Sequence, residues 1–127
     1  MQTHKTILIV EDNPINLKLL RDILNFQKFE VLEAVDGKSA LELVEKNYNK
    51  IDLILMDLQL PDINGLEVIK NIKADAESKD IPIIVVSAHA MESDMKKCRE
   101  AGCIDYITKP INIQEFINKI NSFFLNC

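Results

Sequence analysis

Five short apolar segments alternate with five helical patterns along the chain, and this alternation constrains the fold more than any other feature. The segments are TILIV (6–10), FEVLEA (29–34), DLILM (52–56), PIIVVS (82–87) and DYIT (105–108). Their short length and their β-branched residues predict β-strands. Alternating strands and helices predict a parallel sheet with right-handed crossovers and helices on both faces. We therefore expect an α/β fold, a doubly wound (βα)₅ arrangement, in a single domain that spans residues 1–127.

Apolar residues at helical spacing predict the five helices, and we interpret the methionines and phenylalanines among them as core residues. Asn13 followed by Pro14 predicts the N-cap and first turn of the first helix. Asn112 and Glu115 have the spacing of a capping box. The segment 29–34 mixes charged and apolar residues, which is typical of an edge strand. The helical positions are Leu17, Leu20, Leu24; Ala40, Leu41, Val44; Leu66, Ile69, Ile72; Met91, Met95, Cys98; and Ile113, Phe116, Ile117, Ile120, Phe124.

Charge and composition argue against several classes of protein. The net charge of −5 disfavours binding to nucleic acid or to an anionic membrane through a broad basic patch. The odd number of cysteines, Cys98, Cys103 and Cys127, includes no C-x-x-C pair, so a disulfide framework is not expected. The sequence begins with no signal-peptide pattern and contains no run long enough for a membrane span. We expect a cytoplasmic protein with reduced thiols.

Chemically active side chains follow four of the five predicted strands. In an open parallel sheet, ligands bind outside the carboxyl ends of the strands, so these residues are expected to converge on one rim. Two carboxylates about 4 Å apart repel by about 4 kcal/mol at an effective dielectric constant near 20. One lysine does not balance three carboxylates, whereas a hard cation such as Mg²⁺ would. The residues are Glu11 and Asp12 after the first strand, Asp57 after the third, Ser87 at the end of the fourth and Lys109 after the fifth.

Each of these residues also has an ordinary structural interpretation when it is taken alone. Glu11 and Asp12 could cap the first helix, Ser87 could bond to the backbone, and Lys109 could be a solvated loop lysine. Asp57 could cap a turn at the strand exit. The joint arrangement is much less expected by chance, and it predicts that Asp57 is a functional carboxylate.

The sequence resembles the receiver domains of bacterial two-component response regulators over essentially its full length. The matching motifs are ILIVEDNPIN, DLILMDLQLPDINGLE, PIIVVSAHA and DYITKPI, in this order and spacing. Within the family, LILMDLQLP, AHAM and YITKPI are most similar to the stand-alone, DivK-type cell-cycle regulators. The resemblance implies a flavodoxin-like receiver fold with the strand order 2-1-3-4-5.

The resemblance also implies roles for individual residues. Asp57 would be the phosphoacceptor. Asp12, Asp57 and the backbone carbonyl of Gln59 would hold Mg²⁺, while Glu11 would act through a bound water. Ser87 and Lys109 would contact the phosphoryl oxygens. The family often has threonine where this chain has Ser87, and the hydroxyl chemistry is the same.

Three further positions follow from the resemblance. Tyr106 would be the switch aromatic that moves together with Ser87, and the Lys109-Pro110 peptide bond would be cis. Gln59 and His89 match family positions that tune the lifetime of the phosphoryl group, although ordinary loop polarity explains them equally well.

Two classes of function are compatible with these residues. The first is a stand-alone response regulator, which is not an enzyme. It would accept a phosphoryl group from a histidine kinase or a phosphotransfer protein and switch a protein-binding surface, regulating cell-cycle or developmental kinases as a monomer or weak dimer. The second is a small Mg²⁺-dependent aspartyl-phosphate phosphohydrolase, which would want a second aspartate where this chain has Gln59. A flavin-binding flavodoxin is disfavoured because the charges of EDNPIN would repel a phosphate.

Overall fold

The computed structural model describes residues 4–88 and 91–125, and in them strands and helices alternate strictly. The five strands form one parallel sheet in the order β2-β1-β3-β4-β5, which confirms both the α/β class and the strand order. The elements are β1 (Thr6–Val10), α1 (Pro14–Phe26), β2 (Glu30–Ala34), α2 (Gly37–Asn47), β3 (Leu53–Met56), α3 (Gly65–Ala74), β4 (Ile83–Ser87), α4 (Glu92–Ala101), β5 (Asp105–Thr108) and α5 (Ile113–Leu125).

Helices cover both faces of the sheet, and the alternation of side chains along each strand divides the core into two layers. Along β3, Ile54 and Met56 pack with residues of α2 and α3, whereas Leu53 and Leu55 pack with residues of α1 and α5. A central strand that is buried on both faces must be apolar at every position, which explains the continuous run LILM. β2 lies at one edge of the sheet and has a mixed burial pattern, as predicted.

The predicted helix starts are confirmed for α1 and α5. Asn13 caps α1, because its Oδ1 atom accepts hydrogen bonds from the backbone N–H groups of Ile15 and Asn16 at 2.9 and 3.1 Å. Asn112 accepts a hydrogen bond from the backbone N–H of Glu115 at 3.0 Å. Each side chain satisfies donors that the first turn of a helix leaves without an intrahelical partner.

Two details of the prediction are wrong. β2, β3 and β4 each begin one residue later than predicted, for example at Ile83 because Pro82 has no N–H to give to a ladder. Met91 is not a core residue: it precedes the first turn of α4 and is 69% exposed. Phe116, in contrast, is fully buried, as predicted.

Cys98 and Cys103 are buried free thiols, in keeping with the predicted lack of a disulfide framework, and Cys127 lies outside the described residues. Burial raises the pKa of Cys103 to about 12, which keeps this thiol protonated at neutral pH. None of the helices in the described part of the chain has the length and apolarity that a membrane crossing requires.

Candidate functional site

The sheet itself positions the three predicted carboxylates. The backbone N–H of Glu11 donates to the carbonyl of Ala34 at 3.0 Å, and the N–H of Asp57 donates to the carbonyl of Val10 at 3.0 Å. These bonds continue the ladder beyond the ends of the strands. One carboxylate oxygen from each of Glu11, Asp12 and Asp57 therefore lies within 4.8 Å of the other two. The ladder thus holds Glu11 and Asp57 at the ends of the neighbouring strands β1 and β3, and Asp12 lies beside them.

Lys109 joins two of these carboxylates directly. Its Nζ atom lies 2.6 Å from Oε1 of Glu11 and 2.9 Å from Oδ2 of Asp57. The side chains of Glu11, Asp57 and Lys109 are only 2%, 6% and 14% exposed. The Lys109-Pro110 peptide bond is cis, as the resemblance implies. One ammonium therefore compensates two buried carboxylates, while Asp12 remains exposed to solvent at the same rim.

The electrostatics of this cluster follow from burial and from the shared lysine. Burial raises the pKa of Glu11, the hydrogen bond from Lys109 acts against it, and the negative charge of Asp57 adds to the rise. Burial alone would lower the pKa of Lys109, but hydrogen bonds to Glu11 and Asp57 outweigh it and raise the pKa. Lys109 therefore stays cationic at neutral pH and provides a fixed positive charge beside Asp57.

Gly65 brings the end of the loop after β3 back against the start of that loop. The backbone N–H of Gly65 donates to the carbonyl of Leu58 at 2.9 Å. A Cβ atom on Gly65 would lie 2.5 Å from the carbonyl oxygen of Asp57 and 2.5 Å from the Cα atom of Leu58. Gly65 is also the first residue of α3, so it both starts the helix and permits a close approach of two backbone segments. At the start of the same loop, Oδ1 of Asp57 accepts a hydrogen bond from the N–H of Gln59 at 3.0 Å.

Asp62, which the sequence did not single out, ties this loop to the start of α2. Its Oδ1 accepts from the N–H of Gly37 at 2.8 Å and from that of Ile63 at 2.7 Å, while Oδ2 accepts from the N–H of Lys38 at 3.0 Å. These bonds, led by the one from Gly37, lower the pKa of Asp62. Within the loop PDING an aspartate reads as an ordinary turn residue. The backbone donors at the start of α2 carry no side-chain signature, so nothing in the sequence indicates this contact.

Ser87 and Tyr106 contribute hydroxyl groups from neighbouring strands. Ser87 ends β4 and is completely buried, and Tyr106 lies on β5, which pairs with β4 in parallel. The hydroxyl oxygen of Tyr106 is also buried, and it has no hydrogen-bond partner with standard geometry among the described residues. Burial raises the pKa of Tyr106, and interaction with the Ser87 hydroxyl acts in the opposite direction. The aromatic ring thus turns its polar end inward, toward Ser87.

Six of the seven predicted site residues lie at the carboxyl ends of the strands or just beyond them, and Tyr106 lies within β5 opposite Val85. Lys109 contacts both Glu11 and Asp57, and Asp12 completes the acidic cluster. Ser87 and Tyr106 lie on the adjoining strands β4 and β5. Gln59 is held next to Asp57 through its backbone and has an exposed side chain. His89 lies outside the described residues.

Fold and site together are those of a signalling domain. Residues 7–121 match the family described as the response regulator receiver domain, and the chain belongs to this family. The similarity that the motifs indicated is therefore confirmed over most of the chain.

Individual relatives place the chain further within the family. It is 44% identical over 119 residues to the polar-differentiation response regulator DivK of Brucella ovis, a match that covers 94% of this chain and 95% of that protein. It superposes with a TM-score of 0.84 and 32% identity on the receiver domain of the sensor histidine kinase PA1611 from Pseudomonas aeruginosa, which holds a coordinated magnesium ion in its active-site cleft; 94% of this chain and 97% of that one are covered. A CheX–CheY–BeF₃–Mg²⁺ complex from Borrelia burgdorferi matches with a TM-score of 0.88 and 27% identity, covering 94% of this chain and 89% of that one.

Proposed function

We propose that this protein is a response regulator that accepts a phosphoryl group on Asp57 from a phosphohistidine of a histidine kinase or of a phosphotransfer protein. The observation that carries the proposal is the environment of Asp57: a buried carboxylate at the end of a central strand, 2.9 Å from a lysine ammonium and clustered with two further carboxylates. A capping aspartate would need neither the lysine nor the acidic neighbours.

In the proposed step, a carboxylate oxygen of Asp57 attacks phosphorus and the bond from phosphorus to the histidine nitrogen breaks. The electron pair of that bond remains on the imidazole, and Asp57 becomes an acyl phosphate. Such transfers pass through a loose transition state, so the protein has mainly to position the donor and to neutralise the equatorial oxygens. Lys109 supplies a fixed positive charge for this purpose, and Ser87 supplies a hydroxyl donor.

The acidic cluster fits a magnesium site. Asp12 and Asp57 offer carboxylate oxygens, and the exposure of Asp12 leaves room for the water ligands that Mg²⁺ retains. The backbone carbonyl of Gln59 is the third protein ligand in the proposal, with Glu11 acting through a water. An ion held by these residues would supply positive charge that neutralises the phosphoryl oxygens, in addition to the charge of Lys109.

The proposed output is a change of binding surface around α4, β5 and α5. A phosphoryl group adds about −1.5 to −2 charges and three acceptor oxygens next to Ser87. Ser87 would move toward these oxygens and Tyr106 would follow, which is a two-state element biased by a local charge. The similarity to a polar-differentiation regulator supports a partner kinase whose activity in the cell cycle or in development this surface adjusts.

The direct test is incubation with acetyl phosphate and Mg²⁺, followed by intact-mass measurement. We expect a single phosphoryl adduct on the wild type, and none on Asp57→Asn or after chelation of Mg²⁺. Asp52→Asn is the matched control, because Asp52 lies just before the same strand and accepts a hydrogen bond from the N–H of Thr6 at 2.8 Å, away from the rim. An adduct of undiminished yield on Asp57→Asn would refute the assignment.

A further inference from the structure

An apolar surface lies where α1 and α5 end. Phe26, the last residue of α1, is 81% exposed, and Leu125, the last residue of α5, is 84% exposed. Phe29 and Phe124 bring these two helix ends together, because their ring centroids are 5.1 Å apart. Phe123 packs edge-on against Phe124 at 4.9 Å. We refer to these five residues as the aromatic patch.

The aromatic patch differs from the isolated apolar side chains that any protein surface carries. Single exposed residues are common and need no explanation, whereas contiguous exposed apolar groups mark sites of association. Phe26 and Leu125 flank an aromatic cluster whose members are themselves only partly buried. Four phenylalanine side chains and a leucine at one edge of the molecule offer a large apolar area at a low cost in side-chain entropy.

The exposed face of α5 that leads to the aromatic patch is polar but largely uncharged. Gln114, Asn118, Asn121 and Ser122 are exposed along this helix, and the last three lie within two turns of Leu125. Gln114, in the first turn, donates a hydrogen bond to Asn118 at 3.0 Å. Lys119, the cation on the same helix, is paired with Asp105 at 3.1 Å. Neutral amide side chains can hydrogen-bond across an interface without the desolvation cost of a charge.

The charged residues of α1, the helix that ends at Phe26, occur in opposite-sign combinations. Lys18 is paired with Asp22 at 2.6 Å, and Arg21 with Glu33 at 3.0 Å. Lys28 and Glu30, the charged neighbours of Phe29, have opposite signs. In a chain with a net charge of −5, two copies that approach through this edge meet little of the like-charge repulsion that the molecule as a whole exerts.

The position of the patch keeps it separate from the candidate phosphorylation site. In a doubly wound fold the helices run antiparallel to the strands, so the C-terminal ends of α1 and α5 lie at the amino ends of the strands. The rim with Asp57 and Lys109 is at the opposite edge of the sheet. A protein bound to the aromatic patch therefore leaves that rim open.

We propose that the aromatic patch is a self-association surface, at which two copies of this chain pack about a two-fold axis. A two-fold contact is self-complementary, so each copy buries the exposed Phe26 and Leu125 of the other, and neutral amides of α5 surround the contact. The small extent of the patch fits a weak, concentration-dependent dimer rather than a permanent one. The proposal is independent of phosphorylation, because the patch shares no residue with the acidic cluster.

Sedimentation equilibrium over a wide range of protein concentration tests the proposal. We expect the wild type to form a dimer whose dissociation constant rises by at least about tenfold in the Phe26→Ser, Leu125→Ser double variant, since both side chains lose their buried apolar area. Ile15→Ser is the matched control: Ile15 is 78% exposed at the other end of α1, and its replacement should leave the dissociation constant unchanged. Circular dichroism melting of all three proteins checks that they are folded.

Three results would overturn the proposal. They are a wild type that remains monomeric at the highest concentration, a dimer that the double variant leaves unchanged, and a dimer that Ile15→Ser weakens as much as the double variant does. Beryllofluoride and Mg²⁺ distinguish this proposal from the proposed function: the dimer through the aromatic patch should persist unchanged when they are added. A dimer that forms only in their presence would place the contact on a phosphorylation-dependent surface instead.

Discussion

At the scale of single residues, the site depends on the absence of a side chain at Gly65. The backbone of Gly65 passes so close to Asp57 and Leu58 that no side-chain atom fits between them. The same contact fixes the direction in which the loop leaves β3, and Asp57 is the residue at that exit. A substitution at Gly65 therefore acts on stability and on the site through the same atoms.

We expect Gly65→Ala to destabilise the fold by about 2 kcal/mol, because its Cβ would collide with backbone atoms that have no alternative rotamer. Gly37→Ala is the comparison, since Gly37 is likewise the first residue of a helix and its added Cβ would meet only side chains, at 3.0 Å or more. Its loss should be smaller. Urea unfolding of both variants measures the difference, and a loss for Gly65→Ala no greater than that for Gly37→Ala would contradict the steric argument.

At the scale of elements, the segment between β3 and α3 is held at both ends and in the middle. Asp57 fixes its start through the N–H of Gln59, Gly65 fixes its end, and Asp62 anchors its centre to α2. These contacts restrict the loop that carries a proposed metal ligand, the carbonyl of Gln59. Rigid support of this kind is what a site needs if its ligands are to be in place before the ion arrives.

Asp62→Asn should loosen this anchor and remove part of the acid sensitivity of the fold. The pKa of Asp62 is lowered in the folded state, so its contribution to stability is present above the ordinary aspartate pKa near 4 and is lost as the pH falls. Asparagine keeps one carbonyl acceptor but cannot accept from both Gly37 and Lys38 with two oxygens. We expect a shallower loss of stability between neutral pH and about pH 3, and weaker Mg²⁺ binding at neutral pH.

Asp22→Asn separates these two effects. The pKa of Asp22 is also lowered, by its hydrogen bond with Lys18 on the exposed side of α1. This variant should also reduce the loss of folding stability at acidic pH. It should leave the Mg²⁺ dissociation constant, measured by calorimetry, as it is in the wild type. Equal Mg²⁺ affinities in Asp62→Asn and Asp22→Asn would mean that the anchor does not support the metal site.

The strands and helices were predictable because their signals are local. The buried run of β3 and the cap at Asn13 can both be read within a few residues. The spacing of Met91 to Met95 and Cys98 predicts a core position, but α4 begins only at Glu92, and periodicity does not reveal where a helix starts. The convergence of Glu11, Asp57 and Lys109 on one rim was predictable for a similar reason, since every parallel strand places its carboxyl end at the same edge.

Contacts between distant segments were not predictable from the residues alone. The strand order came from the resemblance to a family, because five apolar runs of similar composition do not state which of them are neighbours. The bond from Asp62 to the start of α2 joins positions 25 residues apart through backbone donors, which every residue except proline possesses. The direct contact of Glu11 with Lys109 was likewise missed, because both residues were assigned to an ion or a phosphoryl group rather than to each other.

At the scale of the whole molecule, Lys109 ties the beginning of the chain to its last strand. Its two ion pairs span 98 residues to Glu11 and 52 residues to Asp57. Both carboxylates are buried, so removal of the ammonium would leave two like charges with little solvent to screen them. The ion pairs therefore hold β1, β3 and the segment after β5 in one arrangement.

Lys109→Met keeps much of the alkyl stem and removes the charge, and we expect it to lower the free energy of unfolding by about 3 kcal/mol. Mg²⁺ should restore part of this loss, so the rise in melting temperature on adding Mg²⁺ should be larger than in the wild type. Lys119→Met breaks an exposed pair with Asp105 and should change stability by less than about 0.5 kcal/mol. Thermal melts with and without Mg²⁺ measure both effects, and an unchanged melting temperature for Lys109→Met would show that the buried pairs contribute no net stability.

The long reach of Lys109 has a consequence for the protein while it is being made. A ribosome adds about 5–20 residues each second, so Glu11 and Asp57 leave the exit tunnel seconds before the lysine that compensates them. Until then, burying the two carboxylates side by side is unfavourable. This edge of the sheet is therefore expected to stay hydrated in the growing chain. The candidate site is therefore expected to form last, when translation delivers β5 and Lys109, so that an incomplete chain does not present a finished site.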